Sequence, residues 1–421
     1  METQETLEFR EIIQYRRFVN EKSAMVRQFN PANTPSAAAR GVFPFEERGV
    51  FRMAFSNVYF CNLRTSMKEN LPTKLKRLIE TAGLKEIVSV RNLVAIKLHF
   101  GEKGNAAFIR PILVRPIVDA VKELGGAPFL TDANTLYAGT RGNSISHLIT
   151  AMENGFAYSV VNAPLIIADG LRGASFSKIR IEKEVIKTAY IGKEIVEADV
   201  LISVAHFKGH ELSGFGGTIK NMGMGCAARK GKLEQHSDLS PKVKPKKCVG
   251  CGECVDHCAH QAISLREEKA HIDPEQCVGC GECILICPNG AIDVQWNADI
   301  PLFQKKMAEY TWAVLKGKKK KSMFLNFLTN ISPACDCYGH NDAPLVPDIG
   351  ILASRDPVAI DQASVDLVNQ QIGSAGSCLT GCTGPGEDKF RGVYPKIDWT
   401  VQLDHAERIG LGTRGYELVT I

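Results

Sequence analysis

From about residue 53 onward, short apolar runs alternate with stretches of helical periodicity. "LVAIKLHF", "APFLTD", "APLIIADG" and the end of "IVEADVLISVAHFKGH" are apolar runs bounded by turn residues, the pattern of strands buried on both faces. Between them, "LPTKLKRLIETAGL" has helical spacing and a Gly stop. "PILVRPIVDAVKELGG" opens on Pro and closes on Gly-Gly, and "SISHLITAMENGF" begins with a Ser in the capping position. The alternation resumes near the C-terminus. "IPLFQKKMAEYTWAVLKG" reads as an amphipathic helix and "SMFLNFLTNIS" as a strand. "DIGILASRDPVAIDQASVDLVNQ" reads as a strand leading into a helix, "TVQLDHAERIGLG" as a helix and "YELVTI" as a strand. Repeated strand–helix alternation predicts an α/β fold, a mainly parallel sheet with covering helices.

Two stretches break the pattern. Residues 1–52 contain "NPANTPSAAARG" and little periodic apolar surface, which predicts an N-terminal, partly disordered arm, with Met53 as a candidate native start. Residues 245–296 are rich in cysteine and interrupt the alternation, so the α/β domain is expected in two parts, 53–244 and 297–421, with 245–296 inserted between them.

The insert repeats one spacing, C-x2-C-x2-C-x3-C. It covers Cys248, Cys251, Cys254 and Cys258, and again Cys277, Cys280, Cys283 and Cys287. Zinc knuckles join two separated pairs, whereas three thiolates at steps of three wrap one face of an iron–sulfur cube. In two-cluster modules of this spacing the fourth cysteine ligates the other cluster. The expectation is a bacterial-type two-cluster ferredoxin module holding two [4Fe-4S] clusters. Cys248, Cys251, Cys254 and Cys287 would hold one, and Cys277, Cys280, Cys283 and Cys258 the other.

The bulk numbers narrow the class. The chain has 421 residues, 44% hydrophobic and 23% charged, with a net charge of +5. That charge is too small to indicate nucleic acid. No apolar run approaches the ~18 residues of a membrane span, and the N-terminus has no apolar signal core. A cytoplasmic protein is expected, in which 14 cysteines point to metal rather than disulfides. Basic runs, "ARKGK", "PKVKPKKC" and "KGKKKK", are read first as solvated loops and second as a docking face for an acidic electron carrier, a redox partner protein.

Further chemistry lies outside the insert. Cys335 and Cys337 form a C-x-C, and Cys378 and Cys382 lie in "SCLTGCTGPG"; with Cys226 they are candidates for a third metal or cluster. "HFKGHELSGFGGTIKNMGMGC" carries His206, His210 and Lys220. Its glycines, Gly214, Gly216 and Gly217, would let backbone approach a ligand closely. His99 with Glu102, Arg110, and Asp132 with Arg141 follow predicted strands, where open α/β sheets place ligands. No G-x-G-x-x-G follows a strand, so a nicotinamide site has no motif, and the organic cofactor is unknown.

"VAIKLHFGEKGN", "FLTDANTLYAGTRGN", "HFKGHELSGFGGTIKNMGMGCAARKGK", "CDCYGHNDAPLVPDIGILASRDPVAID" and the cysteine repeats together resemble the iron–sulfur branch of the family called domain of unknown function 362, from Met53 to about Ile421. That resemblance implies an α/β domain with an inserted ferredoxin unit. The run His210, Gly214, Phe215, Gly217, Lys220 and His236 is also similar to the nickel-dependent lactate racemase family. Here Lys220 follows His210 by ten residues and precedes His236 by sixteen. This second resemblance implies a lysine that anchors a nickel-pincer cofactor and a histidine that binds nickel, although Thr218 stands where those enzymes have glycine.

The function expected is an iron–sulfur oxidoreductase. Two clusters would pass electrons to a pocket lined by His206, His210, Lys220, His236, His99 and Arg110, with an anionic small molecule bound there. The alternatives are a non-enzymatic electron carrier or cluster-assembly partner, and a racemase-like enzyme with structural clusters.

Overall fold

The structure is a computed structural model that describes residues 55–421 except 138, 237–239, 259, 278 and 296–298. The expected arm, 1–52, and Met53 lie outside the described residues.

The strands expected from sequence assemble into one eight-stranded sheet. In chain order they are β1 (Ser56–Asn62), β2 (Leu93–Lys97), β3 (Ala127–Asp132), β4 (Leu165–Ile167), β5 (Val200–His206), β6 (Ser322–Leu328), β7 (Gly350–Ser354) and β8 (Tyr416–Thr420). Across the sheet the order is β8-β1-β7-β6-β5-β2-β3-β4. β7 runs antiparallel to both of its neighbours, and every other pairing is parallel. Strands β5 and β6 pair directly although more than a hundred residues separate them. The segment between them leaves the sheet, and among the described residues its strands form three short antiparallel pairs, Lys208–His210 with Gly214–Gly216, Lys242–Val243 with Ile292–Asp293 and Ile263–Arg266 with Lys269–Ile272.

Alternation along the central strands decides the two cores. Val94 and Ile96 of β2 and Val200, Ile202 and Val204 of β5 enter one apolar cluster. Ala95 and Leu201 enter the other, on the opposite face. Helices therefore cover both faces, as a parallel sheet requires.

Three local expectations change. Helix Ser144–Glu153 is capped by Asn143, whose side chain accepts from the N–H groups of Ile145 and Ser146; Ser144 is already inside the helix. Helix Ile300–Leu315 is buried on most of its circumference rather than on one stripe. Its polar residues have partners instead of water: the Glu309 carboxylate accepts from the N–H groups of Val185 and Ile186, and lies 2.9 Å from His405 Nε2. The lysine run is partly turned inward: Lys318 and Lys321 are half-buried, whereas Lys319 and Lys320 stay exposed. Lys318, Lys319 and Lys321 donate to backbone carbonyls of Val196, Gly410 and Ile87, while Arg229 and Lys232 of "ARKGK" are buried. Lys318 and Lys321 thereby tie chain segments together, while Lys242, Lys244, Lys246 and Lys247 of "PKVKPKKC" are exposed.

Among the described residues no helix is long and apolar enough to cross a membrane.

Candidate functional site

The parallel strands β2, β3 and β5 end together, with Lys97 opposite Thr131 and Ser203. Just beyond this edge lies a cavity of about 690 Å³. Open sheets bind ligands at this position because loops diverge there and leave a crevice.

The chain reaches the cavity from several elements. His206 ends β5 and His210 ends the first arm of a small hairpin, Lys208–His210 with Gly214–Gly216. Lys220 lies in helix Thr218–Gly223 and His236 at the end of helix Arg229–His236. All four line the cavity, as do His99, Gly216 and Gly217. Gly214 does not line it. Arg110 is exposed and also absent from its walls, because it sits in the turn before helix Arg115–Glu123 rather than at a strand end.

Helix Thr218–Gly223 is held by one carboxylate. Asp361 accepts from the N–H groups of Thr218 (2.7 Å) and Ile219 (2.9 Å) and from Asn326 Nδ2 (2.8 Å). Gly217 makes room for it: a Cβ there would stand 2.3 Å from Asp361 Oδ1. Replacing Asp361 with Ala leaves these buried donors unpaired, so a loss of roughly 2–4 kcal/mol in urea unfolding is expected. A loss under about 1 kcal/mol would show that the carboxylate does not hold this helix.

The histidines have distinct roles. His206 Nδ1 lies 2.9 Å from Asp336 Oδ1, and its Nε2 3.0 Å from Thr329 O. Both ring nitrogens are occupied, so His206 positions the Asp336 loop rather than meeting a ligand. Lys208 Nζ lies 3.1 Å from the same carboxylate. His210 Nδ1 faces the N–H groups of Leu212 and Ser213 and the Ser213 hydroxyl, which leaves Nε2 as its proton-bearing nitrogen. The Phe303 ring stacks with both His210 and His236, at 6.3 and 4.9 Å between centroids. Burial, then Lys220, holds His210 well below its ordinary pKa and His236 at about 3, so both rings are neutral near pH 7.

Lys220 Nζ donates to Cys335 Sγ at 3.1 Å. Burial alone would lower this lysine, but the thiols of Cys335 and Cys337 outweigh it and hold Lys220 above the usual range. Lys97, Asp132, Arg141 and Glu102 form a buried ion-pair chain on the cavity wall, with Lys97 Nζ 3.0 Å from Asp132 and Arg141 Nε 3.1 Å from Glu102. Lys97, Lys232 and Tyr137 also line the cavity, although no local motif marks them. Lys97 ends strand β2, and sheet register brings it beside Asp132 of β3.

The expected third metal site is not assembled. Among the described residues no group of three or more His, Cys, Asp or Glu is placed to hold a metal ion. Cys337 lines the cavity with Cys335 behind it, Cys378 is exposed, and Cys226 is packed in the apolar core.

The eight cysteines of the intervening segment line two small cavities. Cys248, Cys251, Cys254 and Cys287 surround one, and Cys258, Cys277, Cys280 and Cys283 the other. The halves are related locally: the N–H of Ala262 donates to Cys258 Sγ at 3.3 Å and that of Ala291 to Cys287 Sγ at 3.2 Å. Gly281 of the second cavity packs against Leu136 of the large one: a Cβ at Gly281 would stand 2.9 Å from Leu136 Cδ1. Leu136 lines the large cavity and shares an apolar cluster with Leu233, Cys254 and Ile284. Glu282, between Cys280 and Cys283, pairs with buried Arg229 at 2.6 Å and with Arg172 at 2.9 Å.

Residues 94–366 match the family model DUF362, domain of unknown function. The chain belongs to this family. None of the curated proteins matches it. Among solved structures it is similar to the lactate racemase apoprotein from Thermoanaerobacterium thermosaccharolyticum, at 15% identity and a TM-score of 0.32. That match covers 66% of this chain, which spans about half (52%) of the racemase. A likeness at this level bears on neither activity nor site. As a DUF362 member, the protein has a family assignment that carries no reaction, so function rests on the residues.

Proposed function

We propose that this DUF362 protein is an iron–sulfur oxidoreductase, carrying two [4Fe-4S] clusters and acting on a small molecule held in the large cavity. The observation that carries this reading is the division of eight cysteines into two cavities, each lined by three residues of one run and one of the other. A lone zinc ion needs four sulfurs each ~2.3 Å from one point. Cysteines at steps of three within each run suit a cluster better than the two separated pairs of a zinc site, and backbone N–H groups aimed at Cys258 and Cys287 suit sulfur that stays charged. When bound, such clusters supply single electrons.

The chain's own residues then define the work at the cavity. Neutral His210 offers a hydrogen bond from Nε2, since its Nδ1 is taken. Lys97, Arg141 and Lys208 are ion-paired with Asp132, Glu102 and Asp336, so Lys220 and Lys232 are the cavity-lining cations left to meet an anionic ligand. Lys232, lowered by burial to about 8, gives up a proton more readily than an ordinary lysine. Phe303 and Leu136 supply apolar wall that limits water. A redox partner protein would deliver electrons from outside.

The test is anaerobic purification with iron and sulfide analysis, then mass spectrometry for compounds that co-purify. About eight irons per chain are expected, along with an anionic compound whose retention falls at least about tenfold in Lys220→Ala. Zinc in place of iron would overturn the reading.

A further inference from the structure

Cys335 and Cys337 belong to one tight turn, in which Tyr338 N donates to Cys335 O at 3.1 Å and Cys337 N to Cys335 Sγ at 3.3 Å. A turn of this kind holds its first and fourth Cα atoms within ~7 Å. Its first and third then fall inside the ~4.4–6.8 Å span over which a disulfide closes. The turn is anchored on both sides: Asp336 is gripped by His206 and Lys208, Glu102 N donates to Asp336 O at 3.0 Å, and Tyr137 Oη to Cys337 O at 3.0 Å.

The two sulfurs sit differently. Cys335 is buried and accepts from Lys220 Nζ. Cys337 is half-buried on the cavity wall, with its sulfur 3.6 Å from His99 Nε2. Gly101 N–H donates to His99 Nδ1 at 3.0 Å, so the ring proton is on Nε2, aimed at Cys337.

We propose that Cys335 and Cys337 are a redox dithiol of the cavity, with Cys337 the attacking sulfur and a small anionic disulfide the substrate. A hydrogen bond from Cys335, then Lys220 and His99 acting against burial, holds Cys337 well below the ordinary thiol range. The same bond, with burial, pushes Cys335 well above it. Cys337 is the sulfur a substrate disulfide can reach, because it lines the cavity and faces His99 Nε2, and Cys335, buried next to it, is placed to resolve the mixed disulfide.

The Cys337 thiolate attacks one sulfur of R–S–S–R; that bond breaks, RS⁻ leaves, and a mixed disulfide forms. Cys335 then attacks the Cys337 sulfur, closing the internal disulfide and releasing the second RS group, which takes the Cys335 proton. Two electrons pass to the substrate, and the products are RS⁻, RSH and one internal disulfide. The exchange needs nothing from the cysteine quartets. Only the reopening of the disulfide rests on the reading above.

The test uses the full chain, reduced and anaerobic, mixed with oxidised glutathione at about pH 6.5, where ordinary thiols react slowly. The peptide between Lys321 and Arg355, which holds both cysteines, is followed by mass spectrometry. Wild type should lose two hydrogens from that peptide and release glutathione, with exposed Cys378 at least about tenfold less modified. Cys335→Ser should stop at a glutathione adduct on Cys337. A wild-type peptide that stays reduced, or an adduct on Cys378 before Cys337, overturns the proposal whether or not the variant folds. Dithionite is then added to the exchanged wild type and to Cys277→Ser. Reopening in wild type alone supports both readings. Equal behaviour of the two overturns the electron supply and leaves the dithiol standing.

Discussion

Cys258→Ala, purified without oxygen, should hold about half the iron and sulfide of the parent, about four of about eight irons per chain. Cys258 lies in the first run, yet its sulfur lines the cavity of Cys277, Cys280 and Cys283. Cys287 lies in the second run and lines the other. The pairing of variants separates crossed from uncrossed ligation. Combining Cys258→Ala with Cys277→Ala strikes one cavity twice and should cost no more iron than either alone, whereas Cys258→Ala with Cys248→Ala strikes both and should lose nearly all of it. If the second double variant kept half its iron, the crossed assignment would fall.

Acid should destabilise this protein steeply below about pH 6.5, and one buried histidine should account for roughly 3 kcal/mol of the loss. His147 is fully buried, its ring edge-on to Phe100 and its Nε2 3.7 Å from Asp132 Oδ2. Burial lowers its pKa to about 4, against the opposing pull of Asp132. The unfolded chain takes up a proton at this residue near pH 6.5, and the folded chain resists until near pH 4. The stability conferred by the neutral ring is thus full above pH 6.5 and lost as pH falls through that window. His236 adds a loss of the same sign that extends to about pH 3. The check is urea unfolding at pH 7 and pH 4 for the parent and for His147→Leu. The difference between the two pH values should be smaller in the variant by roughly 3 kcal/mol. Parallel losses in both proteins would mean that His147 does not remain neutral in the fold. The comparison matters for the site because Asp132 also holds Lys97 and Arg141 on the cavity wall.

Much of the sheet was legible because a strand buried on both faces must be apolar along its length, and β2, β3, β5 and β6 are. Their order was not, since no local pattern says that β5 will find β6 across the cysteine-rich segment. The amphipathic reading of helix Ile300–Leu315 failed for a related reason. Lys306, Glu309 and Thr311 look solvent-facing in sequence, and become interior once Glu234 O, His405 and Ile219 O arrive to satisfy them.

The site divides the same way. Fixed spacing within a short stretch singled out the eight cysteines of the two runs, which line two cavities, because residues a few positions apart have few geometries open to them. It also singled out His210, Lys220 and His236, which share one cavity. Arg110 was lost from that set because a residue soon after a strand need not remain at the sheet edge. The Lys97–Asp132–Arg141–Glu102 chain, the Asp361 carboxylate under helix Thr218–Gly223 and the contact of Cys335 with Lys220 came only from tertiary structure. Each joins residues that belong to different elements. Charges and hydrogen bonds act over a few ångströms of space, and sequence separation does not encode those distances until the sheet has set its register.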